Sequence, residues 1–260
     1  MPNKNQQDNN QDNQNKDIIL GRNAVTEALK AGRSINRLLI TEGSRDGSMQ
    51  KLIARAKESS IIIESISRER LDKIADGQRH QGVIAYAAPV EYSTFEDILK
   101  FVESKNESPF ILLLDELEDP HNFGAILRTA DAVGVHGVLI PKRRSVSLNT
   151  TVAKTSAGAV EYVKVAQINN VAQTIKQLKE KFFTIIGSDI EGVEIFSEKH
   201  NFDFKGAIVL IIGSEGKGMR RLTKENCDVL LKIPMVGKIN SLNASVAAAI
   251  LMYEVFRQRK

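Results

Sequence analysis

The chain has 260 residues, 42% of them hydrophobic and 26% charged, with a formal net charge of +4, the make-up of a globular protein with one large or two modest domains. One cysteine excludes an intrachain disulfide and fits a reducing, cytoplasmic setting. The four histidines show no metal-ligand spacing, no run approaches the roughly 20 apolar residues of a membrane span, and the positive excess tilts toward an anionic partner without identifying one.

Residues 1–16 are almost wholly Asn, Gln, Asp and Lys. They lack the apolar core of a signal peptide and have too little to bury, so a disordered tail is expected. Residues 17–92 read as a small α/β domain. A helix is expected from Gly21 to Gly32, with Val25, Ala28 and Leu29 on one face and Gly32 as its stop. Leu38–Ile40, Ile61–Ile63 and Val83–Tyr86 read as strands, with a helix through Leu52, Ile53 and Ala56. Arg33, Arg37, Arg68, Arg70 and Arg79 form either a solvated surface or an RNA-facing patch. Residues 93–108 read as a short helix and linker.

Residues 109–260 form the larger domain. Ile111–Leu114 is fully apolar, as in a strand covered on both faces. Asn122–Val133 has a helical stripe through Ile126, Ala130 and Val133. Strands follow at Val138–Ile140, Tyr162–Val165, Phe183–Ile186, Ile208–Ile212 and Val229–Ile233, separated by helices at Thr151–Ala157 and Val171–Lys181. This alternation predicts an α/β fold with a mainly parallel sheet. The last helix, Asn243–Gln258, is apolar nearly all round. Such a helix needs cover on every side, and a homodimer interface supplies it. Cys227, before the apolar run Val229–Leu231, reads as a buried small hydrophobe and not as a nucleophile.

Three polar clusters stand where apolar runs give way to helical patterns: Asn122-Phe123-Gly124 leading to Arg128, Gly213-Ser214-Glu215-Gly216, and Ser241-Leu242-Asn243. In an α/β sheet these are carboxyl ends of strands, where ligands gather. Each alone reads equally as a turn or a helix cap. The glycine cluster fits neither phosphate-loop nor dinucleotide spacing, since Ile211 and Arg221 stand where glycines are required. No Gly-x-Ser-x-Gly elbow supports serine hydrolysis. A tight loop open to close ligand approach remains.

The stretch from Asp119 to Arg128 resembles the first motif of the SpoU (TrmH-type) RNA ribose 2′-O-methyltransferases of the SPOUT superfamily. Gly213–Met219 resembles their second motif, and Ile233–Asn243, running into Ala244–Ala247, resembles their third. Ala244 departs mildly from that third motif, where a bulkier valine is common. The resemblance spans residues 17–260, since Gly21–Val25 looks like the start of the family's substrate-binding domain. Pro141–Ser145 with Leu148-Asn149, and Arg257-Gln258-Arg259, are most similar to the branch that methylates a guanosine ribose in 23S rRNA.

The resemblance implies a C-terminal SPOUT domain with a deep trefoil knot, an exception to unknotted topology. It also implies a small N-terminal RNA-binding domain of ribosomal-protein type, S-adenosylmethionine as cofactor and a homodimer through the C-terminal helix and knot region. By matched motifs, Asn122, Arg128, Glu215, Ser241 and Asn243 are the catalytic set. Gly213, Gly216, Ile233, Met235 and Leu242 hold the cofactor, and Arg22, Lys142, Arg143 and Arg144 meet RNA. The general base stays open. Arg128 is often given that role in the family, but deprotonating a guanidinium is costly, so a phosphate clamp is as good a reading. Glu215 is another acceptor. Two further functions stay in play: a tRNA guanosine 2′-O-methyltransferase, and a non-catalytic RNA-binding ribosome-assembly factor.

Overall fold

A computed structural model describes residues 17–43, 46–197, 202–238 and 241–260. The stretch 1–16 expected as a tail lies outside them. The chain divides into two compact units, one running to Glu91 and including Leu148–Glu161, the other made of Tyr92–Ser147 and Tyr162–Lys260.

The first unit is built on a four-stranded sheet of β1 (Asp17–Leu20), β2 (Ile35–Thr41), β3 (Ile62–Ile66) and β4 (Val83–Ala87), in the order β1-β4-β2-β3. β4 runs antiparallel to β1 and β2, and β2 parallel to β3. Helix α1 (Arg22–Lys30) buries Ala24, Val25, Ala28 and Leu29, the stripe expected from spacing. α2 (Gly47–Glu58) and α3 (Arg68–Ile74) are N-capped by Asp46 and Ser67, whose side chains accept from backbone N–H groups of the first turn. The short strand β1 and helix α3 were not anticipated. α3 has one buried apolar anchor, Leu71, too little to stand out as a stripe.

The second unit begins at Tyr92. Residues 93–108, read as short helix and linker, hold α4 (Phe95–Lys105), closed by a Thr94/Asp97 capping box and packed into the core through Ile98. Its apolar residues Phe95, Ile98, Leu99 and Val102 follow helical spacing. Next come β5 (Phe110–Asp115), α5 (Pro120–Ala132) and β6 (Gly137–Pro141). Then α6 (Thr150–Thr155) and a 3-10 turn at Ala159–Glu161 belong to the first unit. There Arg33, a member of the expected basic patch, is withdrawn from it: its guanidinium is buried against Glu161 at 2.9 Å and donates to Ala88 O at 2.8 Å.

The remainder is β7 (Val165–Ile168), α7 (Val171–Glu180), β8 (Thr184–Glu194), β9 (Ile208–Gly213), α8 (Arg221–Glu225), β10 (Val229–Lys232) and α9 (Ala244–Arg259). The strand expected at Tyr162–Val165 begins only at Val165, because the 3-10 turn occupies the residues before Tyr162. The sheet order is β10-β8-β9-β5-β6-β7, with every described pairing parallel. All six residues of β5 are buried, as a central parallel strand requires. α9 lies against α5 and β9. Its far end is fastened by Arg259, which donates to the carbonyls of Ser108, Pro109, Phe204 and Gly206 at 2.6–3.0 Å. Among the described residues only one side of α9 is covered; Val246 and Tyr253 are about half exposed. No helix among the described residues is long and apolar enough to cross a membrane.

Candidate active site

Three strand-end turns of the second unit converge. β5 ends at Asp115, and α5 starts after Asp119, whose carboxylate accepts from His121 N and Asn122 N at 3.1 Å. Pro120 sits in the first turn, where its missing N–H costs nothing. This cap sets Asn122 in the first turn of α5, 5% exposed. β9 ends at Gly213, in register with Asp115. The chain then closes a tight loop in which Ser214 and Gly218 exchange backbone hydrogen bonds, both 3.0 Å. A Cβ on Gly213 would lie 2.2 Å from Gly218 C, so only glycine allows the loop to fold back. Asn243, the third element, caps α9 through Oδ1, which accepts from Ser245 N and Val246 N at 3.0 and 3.4 Å.

The three turns are joined by a closed triangle of side chains. Asn122 Nδ2 donates to Glu215 Oε1 at 2.7 Å, and Asn243 Nδ2 donates to the same oxygen at 2.8 Å. Asn243 Nδ2 also donates to Asn122 Oδ1 at 2.9 Å. Hydrogen bonds to an ionised carboxylate are among the stronger kind, so Glu215 holds residues 93 and 28 positions away along the chain.

Beside this triangle lies a cavity of about 470 Å³. Gly213, Gly216, Ile233, Met235 and Leu242 all line it, and so do Glu215 and Ser241. Sequence reasoning missed a fourth contributor, Ser188–Glu191, because β8 was expected to end at Ile186 and runs on to Glu194. Gly187 allows this, since a Cβ there would meet Cys227 Sγ at 2.8 Å. The signal was present: Gly187-Ser188-Asp189 follows an apolar run just as the other clusters do. Lys224 neutralises the new wall by donating to Asp189 at 3.0 Å and to Glu191, contacts that raise its pKa.

Arg128 is not drawn into the triangle. It lies six residues beyond Asn122, about 9 Å along the helix axis, exposed and without a polar partner among the described residues. Lys142, Arg143 and Arg144 are exposed after β6, and Arg144 Nη1 stands 3.6 Å from Glu116 Oε1. In the first unit Arg22 is engaged internally, donating to Asp46 at 2.8 Å, Ser48 at 2.7 Å and Gln81 O at 2.9 Å. It borders a cavity of about 880 Å³ that Arg68 and Arg79 also line. Cys227 is half-buried, and burial together with the Asp228 carboxylate pushes its thiol up to about 12, which suits a packing role.

Residues 109–253 match the SpoU rRNA methylase family, and residues 18–93 match the RNA 2′-O ribose methyltransferase substrate-binding domain. The chain belongs to the SpoU rRNA methylase family. YacO of Bacillus subtilis (strain 168), assigned by its name to the TrmH family of tRNA/rRNA methyltransferases, is 51% identical over 246 residues, covering 95% of this chain and 97% of its own. A crystal structure of an RNA 2′-O ribose methyltransferase superposes with a TM-score of 0.78 at 26% identity, over 96% of this chain and 92% of that one. The SpoU methyltransferase AviRb of Streptomyces viridochromogenes, crystallised with AdoMet, superposes with a TM-score of 0.76 at 21% identity, over 99% and 94% of the two chains. The second unit thus has a SpoU-type fold, and the triangle and its cavity sit on the segment that matches the methylase domain.

Proposed function

We propose that this protein transfers a methyl group from S-adenosylmethionine to the ribose 2′-hydroxyl of a guanosine in 23S rRNA. The observation that carries the reading is the Asn122–Glu215–Asn243 triangle at the edge of a ligand-sized cavity. The cavity falls within the usual range of about 300–1,000 Å³ for small-molecule sites. Apolar Ile190, Ile233 and Leu242 suit an adenine, while Glu215, the lining carboxylate that Lys224 does not neutralise, suits a cation, so the cofactor fits the residues present. Gly213, Gly216, Ile233, Met235 and Leu242 would hold it. When bound, it supplies an electrophilic methyl carbon on a positively charged sulfur.

The protein's task is then alignment, because the leaving sulfur loses charge and little anion needs stabilising; positioning can lower the barrier by several kcal/mol. Asn122 and Asn243, fastened to one Glu215 oxygen, keep the three turns in register. Glu215 Oε2 has no hydrogen bond among the described residues and is the acceptor at hand for the 2′-hydroxyl proton. A guanidinium donates and does not accept, so Arg128, exposed on α5, clamps a phosphate and orients the ribose. Ser241 borders the same cavity and completes the set. Lys142, Arg143 and Arg144 meet the RNA backbone. Residues 17–92 form the substrate-binding domain, where Arg22 braces the cavity wall. The half-exposed apolar side of α9 pairs with a second copy near a trefoil knot in residues 109–260, and the protein works in the cytoplasm.

The test offers 23S rRNA and tRNA transcripts with labelled cofactor and maps the product nucleotide. Label on a 23S guanosine ribose is expected. Label on tRNA alone replaces the substrate, and cofactor binding without transfer to either turns the reading to an assembly factor. Arg128→Ala is expected to keep cofactor affinity and lose turnover, and full turnover would remove Arg128 from the mechanism.

A further inference from the structure

Beside the triangle, two carboxylates and two arginines make an arrangement that the cofactor cavity does not use. Glu116, just after β5, has φ of 61°, a left-handed conformation seldom taken by such a residue. Its Oε1 is shielded from solvent and accepts no hydrogen bond among the described residues. Opposite charge must stand near such an oxygen, and Arg144 Nη1 and Arg220 Nη1 both do, each 3.6 Å away. Arg220 is held from its inner edge as well. Its Nε and Nη2 reach Asp115 Oδ1 at 2.8 and 2.7 Å, and its backbone N reaches Oδ2 at 3.0 Å. Arg144 is also left-handed, with φ of 54°.

A purely structural ion pair closes to hydrogen-bond distance, as Arg220 does on Asp115. The Glu116 oxygen instead holds two guanidiniums just beyond that reach, and both side chains keep access to solvent, 76% and 43% exposed. Strained backbone of this kind clusters at ligand clamps. The place is also telling, because Asp115 is in register with Gly213 and α5, which carries Asn122, begins at Pro120. Lys142 and Arg143 leave the neighbourhood with a surplus of positive charge.

We infer that Glu116 is a positioning residue that sets Arg144 and Arg220 side by side as a fork for a phosphodiester of the RNA substrate. Arg144 was already placed at RNA by resemblance; the assignment of Arg220 and Glu116 is new. Arg144, with Glu116 as its one ion-pair neighbour, offers most of its N–H groups to the phosphate, and Arg220, oriented by Asp115 and Glu116, adds those N–H groups that the two carboxylates leave over. The inference rests on RNA being the substrate.

The test uses the full chain, an RNA fragment that it methylates, and binding measured across a salt series. Arg144→Gln is expected to weaken RNA binding about tenfold, one charge-assisted contact. It should also lower the slope of log affinity against log salt by about 0.7–0.9, while Arg144→Lys keeps the slope. Arg220→Lys retains the charge on Asp115, and so the fold, and loses several-fold in RNA affinity. Glu116→Gln discriminates best. Removing a negative charge beside RNA strengthens binding by simple electrostatics, whereas a positioning role predicts a several-fold weaker KM for RNA, with kcat, cofactor affinity and melting temperature unchanged. Tighter or unaltered RNA binding by Glu116→Gln, or an unaltered slope for Arg144→Gln, overturns the fork. If the unaltered protein binds cofactor but neither binds nor methylates RNA, the function reading fails and takes the fork with it. If it methylates RNA and the variants match it, only the fork fails.

Discussion

Asn122→Asp changes one NH₂ group to oxygen and leaves the shape of the triangle intact. In the native protein Asn122 Nδ2 lies 2.7 Å from Glu215 Oε1 and is 5% exposed at the residue level. The substitution replaces that donor with a second carboxylate oxygen. Two unit charges with centres about 4 Å apart repel by about 4 kcal/mol at an effective dielectric constant of 20. Glu215 itself is exposed, so water screens part of this, and about 2–4 kcal/mol is the expected loss near pH 8. For a protein of this size that lowers the melting temperature by about 5–10 °C. The loss depends on pH with a definite sign. A proton shared between the two carboxyls relieves the repulsion and restores a hydrogen bond, so the folded variant binds more protons than the unfolded chain. Its stability therefore falls as pH rises and recovers toward about pH 5. Combining the change with Glu215→Gln returns a donor to the pair and recovers part of the loss at about pH 8. Thermal melts of the three proteins at both pH values decide the matter. Equal deficits at the two pH values, or none at either, would show that the triangle is not a working contact in solution.

Gly213→Ala forces a Cβ to within 2.2 Å of Gly218 C and 2.3 Å of Met219 N, both backbone atoms, and is expected to cost about 3 kcal/mol and abolish cofactor binding. Gly216→Ala meets nothing within 4 Å and suffers only its φ of 78°, about 1–2 kcal/mol; similar urea midpoints for the two variants would contradict this ranking. The Cys227 thiol, pushed up to about 12 chiefly by burial, is expected to resist iodoacetamide near pH 8 until the fold opens. Labelling of the native protein as fast as of a free peptide thiol refutes that burial. His136 is buried, accepts from Phe110 N through Nδ1 at 3.1 Å, and has its pKa lowered from 6.5 chiefly by desolvation. Its neutral form is the folded one, so its contribution is full above about 6.5 and is lost as pH falls below that value. His136→Asn keeps an acceptor for Phe110 N, and its stability curve should be flatter over that interval than the native one.

The fold was legible where burial is uniform. Ile111–Leu114 and Ile208–Ile212 are unbroken apolar runs, and both are central parallel strands with every residue buried. Legibility was partial where one face is buried and the apolar residues come singly or in pairs. α4 spreads Phe95, Ile98, Leu99 and Val102 around a helix, and its polar remainder mimics a linker. β8 failed differently. Its second half, Ser188–Glu194, is polar and half-exposed, so composition ended the strand at Ile186 while pairing with β10 carried it on to Glu194. The return of residues 148–161 to the first unit had no local signature at all. It is a matter of partners, Glu161 for Arg33 above all, and a one-dimensional pattern does not name partners.

The site divides along the same line. Asn122, Glu215 and Asn243 stood out because side-chain amides and a carboxylate follow apolar strands; Asn122 and Glu215 follow the neighbouring parallel strands β5 and β9, whose carboxyl ends must come close, while Asn243 is brought to them by the start of α9. For the first two, that step needs only strand order and polarity. Glu116 and Arg220 were invisible by the same reasoning. Each belongs to a loop whose neighbours are also charged, Asp115-Glu116-Leu117-Glu118 and Lys217-Gly218-Met219-Arg220-Arg221, and nothing in either string marks one charge over the next. What separates them is backbone conformation. A left-handed Glu116 turns its carboxylate under two guanidiniums, whereas Glu118 in the same run is exposed and makes no ion pair among the described residues. Positive φ at a non-glycine residue depends on what the surrounding fold enforces, so charges that work by being held in place emerge only with the coordinates, while charges that work by lying at a strand end can be read beforehand.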